Sequence, residues 1–495
     1  MKHAILILAH NHLDYLSELI DDFDDDFYIY IHIDKKKSLS KKDILRLSQK
    51  KNVVLISQKY KVNWGGHSII KAEIFLLKEA LKKPDTDYFH LISGQDIPTK
   101  NIKEFKRFFQ KNKGKEFLEY ESFPQDKWDN GTFARFQYFR LNDIFNERSY
   151  WGHFMSSKII QFQQKHNILR KIPNQFDLLY GGSEWFSLTR RCVEHIINYT
   201  QESPAFFKKL KYTFASDETY INTVVLHSPF KDNVENNNLR YIVWEHRNNS
   251  FPANLDETDF FNILSSYAFF ARKIAFPVSE KLLEKLLYYR TFDMSKETKG
   301  EDVFCIASTG YWENKDFRGH CYDKEIGETL CGMLELMEVK TVVDFGCGPG
   351  WYVKALQDAG FVVKGYDGNP YVRELSNIIF QGEENPCGQL DLTKEIKLDK
   401  RFDAVISLEV GEHIPEAFED IYIQNLVNNS NKYIIMSWAI DGQKGDGHIN
   451  CRSNDYIIDK ITKYGLIQNL FAQNYLRNVA ELLWFKETIV MSIIK

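Results

Sequence analysis

Val342-Val343-Asp344-Phe345-Gly346-Cys347-Gly348-Pro349-Gly350 reads as a buried strand running into a glycine turn, and it lies two thirds of the way along a chain of 495 residues. Closely spaced glycines after a strand let the backbone turn sharply and approach a ligand without Cβ clashes, the arrangement that opens a nucleotide-binding α/β domain. The residues before such a turn need a core of their own, and a chain that is 43% apolar and 15% aromatic can fill two cores. The reading is α/β with two domains, 1–295 and 296–495, divided in the polar run Ser295-Lys296-Glu297-Thr298-Lys299-Gly300.

Downstream of the turn, Trp351 stands where a dinucleotide fingerprint places its last glycine, which weakens a nicotinamide reading. Phe361 to Asp367 forms the next strand and ends in an acid able to hold two ribose hydroxyls. Asp391 follows in Gly388-Gln389-Leu390-Asp391-Leu392, and Phe402 to Ser407 is a further strand. Carboxylates at strand ends also shape turns, so each acid has a structural alternative. In their order these segments resemble the class I S-adenosylmethionine-dependent methyltransferases. The resemblance implies a Rossmann-like fold, with S-adenosylmethionine held by Asp344, Gly346, Gly348, Gly350, Asp367 and Asp391.

Glu409-Val410-Gly411-Glu412-His413 places three potential ligands at i, i+3 and i+4, on one face if the segment is helical, and His448 is able to join them. This pattern resembles one with which some O-methyltransferases hold a divalent metal that binds the acceptor oxygens. The alternatives are a solvated helix start for the acids and a general-base role for His448.

Upstream, the runs 3–9 and 27–33, the helical stretch Leu13 to Ile20, the run Val53 to Ile56, the pattern around Ile69 to Leu81 and the run Tyr88 to Ile92 alternate as strand and helix. Residues 122–180 are aromatic, Trp128 among them, without clear periodicity. Six segments in this part carry a resemblance. They are Ile31 to Lys36, Val62-Asn63-Trp64-Gly65-Gly66-His67-Ser68, Tyr88 to Pro98, Gly181 to Leu188, Ala215-Ser216-Asp217-Glu218, and Leu239 to Ile242 with Phe269-Phe270-Ala271-Arg272-Lys273 downstream. Together they are similar to the core-2/I-branching β-1,6-N-acetylglucosaminyltransferase and peptide O-xylosyltransferase family.

That resemblance implies a GT-A-like fold and inverting transfer from a UDP-sugar, UDP-xylose or UDP-GlcNAc. It assigns Glu218 as the base, Arg240 and Lys273 as the cations that neutralise the diphosphate without a metal, and Asp34 and Asp96 to the nucleotide. Glu119, Glu121, Glu184 and Trp185 become candidates for acceptor binding. From the residues alone, Glu218 reads first as an acid complementing a helix start, and an isolated Arg or Lys is a solvated cation. The acid run Asp21-Asp22-Phe23-Asp24-Asp25-Asp26 reads as a solvated loop.

The 64 basic and 68 acidic residues are interspersed, with a net charge of -4, and offer no stripe for nucleic acid. Seven cysteines without framework spacing fit a reducing compartment. The run Ala4 to Ala9, ending at His10-Asn11-His12, is too short for a signal-peptide core, and no apolar stretch reaches membrane-spanning length. The expectation is a bacterial-type cytoplasmic enzyme, possible at the inner membrane face by peripheral association, that adds a sugar to a glycan or glycoconjugate and O-methylates a glycan hydroxyl. Two alternatives stand beside it: a glycan-binding N-terminal module serving a lone methyltransferase, and a methyltransferase acting on protein or small molecules.

Overall fold

A computed structural model describes residues 1–10, 13–124, 133–291, 305–313, 315, 317 and 319–494. Asn11, His12, Trp128 and the polar run holding the expected 295/296 division lie outside the described residues. The chain divides into two compact units, Met1–Asp259 with Tyr267–Leu286, and Phe260–Ser266 with Leu287–Lys495.

In the first unit the strands Val53–Ser57, Phe27–Ile33, Lys2–Ala9 and Thr86–Ser93 lie side by side in parallel. Their continuous apolar runs follow from burial on both faces: Ala4 to Ile7 and Ile29 to Ile31 are almost wholly excluded from water. Phe186–Thr189 joins the Thr86–Ser93 edge antiparallel, and Glu116–Leu118 and Val234–Asn236 complete seven strands. A smaller sheet of Arg240–Ile242, Phe270–Arg272 and Asp96–Pro98 sets Asp96 in register with Arg272. The acid run is an ion-pair network: Asp21, Asp24, Asp25 and Asp26 pair with Lys50, Lys106, Lys51 and Lys2. Within 122–180, where periodicity was silent, the helix Tyr150–Lys165 starts at Ser149, whose hydroxyl accepts from Gly152 N at 3.1 Å.

The second unit is a seven-stranded sheet in the order Cys387–Gln389, Val362–Asp367, Thr341–Phe345, Phe402–Ser407, Ser430–Ser437, Ile489–Ile494, Leu466–Gln468. Ile489–Ile494 runs antiparallel to Ser430–Ser437, and the pairings among the first five strands are parallel. The strand order reverses beside Thr341–Phe345, which puts the glycine turn at the switch point where such sheets bind ligands.

Candidate active sites

In the first unit a cluster forms at the start of the helix Asp217–Leu226, whose first turn holds Asp217 and Glu218 against the positive end of the helix. The two acids diverge. Glu218 keeps 31% of its side-chain surface and accepts from Arg135 Nη1 at 3.2 Å. Asp217 is buried and meets Glu73, from the helix Ser68–Ala80, and Glu184, from the loop before Phe186–Thr189, with one oxygen of each within 4.8 Å of the others. Neither Glu73 oxygen has a hydrogen-bond partner, nor has Asp217 Oδ1. Burial, then repulsion from the neighbouring carboxylates, pushes Glu73 and Asp217 well above the usual range; burial raises Glu184 too, against the pull of Arg272.

Arg272 faces this group. Its Nε lies 3.4 Å from Asp96 Oδ1, its Nη1 3.7 Å from Glu184 Oε1, and its guanidinium stacks 4.2 Å over Trp185. Asp96, fully buried, also accepts from Ser93 Oγ, and burial lifts its carboxyl while Arg272 opposes the shift. Lys273 Nζ donates to Ser250 Oγ at 2.9 Å; burial, then Arg272 and Arg148, push its ammonium down to about 8. Three cations crowded together in this way favour a polyanionic ligand.

Arg240 departs from the expectation. The residue is 8% exposed, and its guanidinium donates to the carbonyls of Leu91, Phe186 and Asn238 and to Ser187 Oγ, with Phe270 stacked beneath it at 4.8 Å. Ser187 Oγ continues to His90 Nδ1 at 2.8 Å, and His90 Nε2 to His3 Nδ1 at 3.0 Å. Arg240 is the end of a buried polar chain that ties strands together, and the cation beside Lys273 is Arg272. Its signal was its position next to Lys273 in a motif already quoted. Glu73 left no signal beyond its place on an apolar helix.

Trp185 also departs: only 4% exposed, with Arg272 on its ring, it has no free face for a sugar. Asp34 ends its strand as expected, but its Oδ1 accepts from the main-chain amides of Lys36 and Val62 at 3.0 and 3.1 Å, and Oδ2 pairs with the Lys36 ammonium at 3.3 Å. Glu119 and Glu121 line an open polar recess of about 540 Å³ with Asn236, Asn237, Asn238 and Arg240, and Glu119 Oε2 accepts from Asn238 Nδ2 at 2.8 Å.

In the second unit all three glycines of the turn have positive φ, +84°, +52° and +91° at Gly346, Gly348 and Gly350. A Cβ on Gly346 would come within 2.3 Å of Val410, so both space and conformation demand glycine there. The amides of Gly346 and Cys347 donate to Tyr366 O at 2.7 and 3.0 Å, and Gly348 N donates to Asp367 Oδ2 at 2.8 Å. Asn369 N meets Asp367 Oδ1 at 2.8 Å, so the acid of the second strand holds the turn in place. Asp344 is buried beneath it, pushed up to about 8 by burial and then by Asp367. Asp391 Oδ1 accepts from Thr393 N and Oγ1, and Oδ2 pairs with Lys394 at 3.2 Å, a turn-shaping role.

The Glu-x-x-Glu-His segment is not an α-helix. Glu409 has φ +54° and Gly411–His413 is a single 3-10 turn, yet Glu412, His413 and His448 come within 4.8 Å of one another. Glu412 is fully buried and neither of its oxygens has a hydrogen-bond partner. Burial, then repulsion from Glu409, raises its carboxyl far above its ordinary value. His413 is pushed down to about 4, first by burial and then by His448. His413 Nδ1 faces Gly447 O at 3.1 Å and His448 Nδ1 faces Gln443 O at 3.2 Å. A carbonyl only accepts, so the protons sit on Nδ1 and the Nε2 lone pairs are left for a ligand. Glu409 instead accepts from Ser437 Oγ, Thr488 Oγ1 and Gln443 Nε2. An orphaned buried carboxylate beside two imidazoles suits a divalent cation.

Residues 322–426 match the family model described as "Methyltransferase domain". The chain is 27% identical over 312 residues to xylosyltransferase 2 of Rattus norvegicus, covering 59% of this chain and 33% of that protein. It is 26% identical over 308 residues to xylosyltransferase 1 of Homo sapiens, covering 58% and 29%. The chain thus spans about a third of the length of these curated relatives. Among solved structures, the magnesium protoporphyrin IX methyltransferase of Synechocystis PCC 6803 overlaps 34% of this chain and 78% of its own, at 18% identity and a TM-score of 0.27. The model described as "Core-2/I-Branching enzyme" matches residues 4–264, more than half the chain, and the protein belongs to that family, with a xylosyltransferase-like glycosyltransferase domain followed by a methyltransferase domain.

Proposed function

We propose that this chain is a bifunctional glycan-modifying enzyme: its first domain transfers a sugar from UDP-xylose or UDP-GlcNAc with inversion, and its second O-methylates a glycan hydroxyl with S-adenosylmethionine. The observation that carries the first half is an accessible carboxylate, Glu218, directly following Asp217 of the buried acid cluster whose Glu184 faces Arg272, the residue before Lys273. Glu218 takes the proton of the acceptor hydroxyl as its oxygen attacks the anomeric carbon. The bond from that carbon to the diphosphate breaks, and Arg272 and Lys273 receive the departing charge. Glu184 is placed to accept hydrogen bonds from the acceptor's other hydroxyls.

For methyl transfer, the glycine turn with Asp344 and Asp367 would hold the nucleoside and amino-acid portions of S-adenosylmethionine, which would supply a methyl group to an aligned acceptor hydroxyl, the S–CH3 bond breaking to leave S-adenosylhomocysteine and the hydroxyl proton passing to solvent. Glu412, His413 and His448 would hold a divalent cation, which would supply Lewis-acid chemistry at the acceptor hydroxyl. His448 is then a ligand, not the base. Fusion raises the local concentration of the glycosylated product at the methyl-transfer site.

Incubation with a panel of UDP-sugars tests the first half. One donor is expected to hydrolyse slowly without acceptor, and Glu218→Gln is expected to lower transfer by about 10² to 10⁴ while donor binding persists. Undiminished transfer by Glu218→Gln would sink the assignment.

A further inference from the structure

The helix Tyr150–Lys165 is turned inside out. Its buried residues are Gly152, Ser156 and Gln163, and a Cβ on Gly152 would come within 1.9 Å of Asn146 O. Gln163 fastens it, accepting from Phe139 N at 2.7 Å and donating to Phe139 O at 3.0 Å. At about 100° per residue, Trp151, Met155, Lys158, Phe162 and Lys165 fall on one stripe away from that buried face. Tyr150 and Phe154 flank the stripe. Exposure is 80% for Tyr150, 71% for Trp151 and 57% for Phe162, so large rings face water along much of the helix.

Charge tells what covers them. From 148 to 176 the chain carries five basic residues and no Asp or Glu. Arg148 turns to Glu184 and Arg272, and Arg170 donates to the carbonyls of Tyr138, Lys209 and Tyr212. Lys158, Lys165 and Lys171 remain on the surface, and Lys158 lies 5.7 Å over the Phe154 ring. Aromatic rings beside lysines with no carboxylate among them match the interface of an anionic bilayer, where rings sit at headgroup depth and ammonium groups reach the phosphates. No helix among the described residues is long and apolar enough to cross a membrane, so the fit is to lying on the surface.

We propose that the helix Tyr150–Lys165 docks the chain on anionic lipid, with Trp151, Phe154 and Phe162 in the interface and the lysines on headgroup phosphates. Arg148, just ahead of the helix, lies 5.2 Å over the Trp64 ring, which meets Phe214, three residues before Asp217, edge-on at 5.3 Å, so docking sets the glycosyl-transfer cluster beside the membrane. Resting on the function proposed above, the acceptor is then a glycan carried on a lipid.

Flotation of the full chain with vesicles tests this, using phosphatidylcholine alone or mixed with phosphatidylglycerol. Binding is expected only to the mixed vesicles and is expected to fall at high salt. Lys158→Glu with Lys165→Glu, and separately Trp151→Ser with Phe162→Ser, are each expected to lower partitioning by about tenfold or more. Hydrolysis of the soluble donor is expected to be unchanged in both pairs. Flotation needs no donor sugar, so its failure is distinct from failure of the glycosyl-transfer reading. Equal partitioning onto both vesicle types, or wild-type flotation by both pairs, overturns the proposal. So does failure of the wild type to float together with a dimer that the Trp151 and Phe162 pair dissociates in sedimentation, which would make a second copy the occupant.

Discussion

Exchanging Arg240 and Arg272 for lysine, one at a time, separates a guanidinium that holds the fold from one that faces the chemistry. Arg240 donates four hydrogen bonds, three of them to the main-chain carbonyls of Leu91, Phe186 and Asn238. An ammonium on a longer tether lacks the planar fork and leaves about two of those buried carbonyls unpaired, at about 1–3 kcal/mol each. The N-terminal unit is thus expected to lose about 2–6 kcal/mol, a large share of the 5–15 kcal/mol that typically holds a domain together. Turnover per folded molecule is expected to persist. The Arg272 contacts with Asp96 and Glu184, at 3.4 and 3.7 Å, are long, and a lysine keeps a positive charge beside the buried Asp96, so the cost to the fold is expected to be smaller than that of Arg240→Lys. Loss of the forked donor proposed above to receive the diphosphate's charge is expected to lower turnover by about 10² to 10³. Pulse proteolysis in urea, read through an N-terminal tag, measures the stability of the first unit, and UDP release per folded molecule measures turnover. The reverse pattern, a stable but inactive Arg240→Lys beside an unstable but active Arg272→Lys, would refute the assignment of the two residues.

Two further predictions turn on pH. Lys273, pushed down to about 8 by burial and its arginine neighbours, is charged below that pH and neutral above it. The kcat/KM for the donor is expected to fall as pH rises through 8, and Lys273→Arg, which stays charged, is expected to flatten the profile; a flat wild-type profile counts against a diphosphate role. Glu116 is fully excluded from water, and burial pushes its carboxyl up to about 7 although Thr189 N and Oγ1 donate to it. The folded chain therefore keeps a proton that the unfolded chain has released. Stability of the first unit is expected to drop by about 3 kcal/mol between pH 4.5 and 7, a slope that Glu116→Gln removes and that urea midpoints across this range would report.

Much of the architecture was legible in local pattern. The runs at 3–9, 27–33 and 88–92, the glycine turn and the acid ending Phe361 to Asp367 all stand where periodicity and turn chemistry place them, because a strand buried on both faces and a glycine at positive φ are requirements met by neighbours in sequence. The shape of the Glu-x-x-Glu-His segment was not legible: one 3-10 turn brings Glu412 and His413 to His448, while Glu409, in the left-handed region, bonds instead to Ser437, Gln443 and Thr488.

The sequence alone thus determined two α/β units, their order and the residue types that bear their chemistry. Only the tertiary structure decided which of two arginines joins Lys273, that Glu73 stands behind Asp217 and Glu184, and that the helix Tyr150–Lys165 turns its rings outward. Backbone propensity reports the few residues on either side of a position. Which side chains share a buried volume is settled by strand register and helix packing between segments far apart in the chain, and no local pattern encodes it.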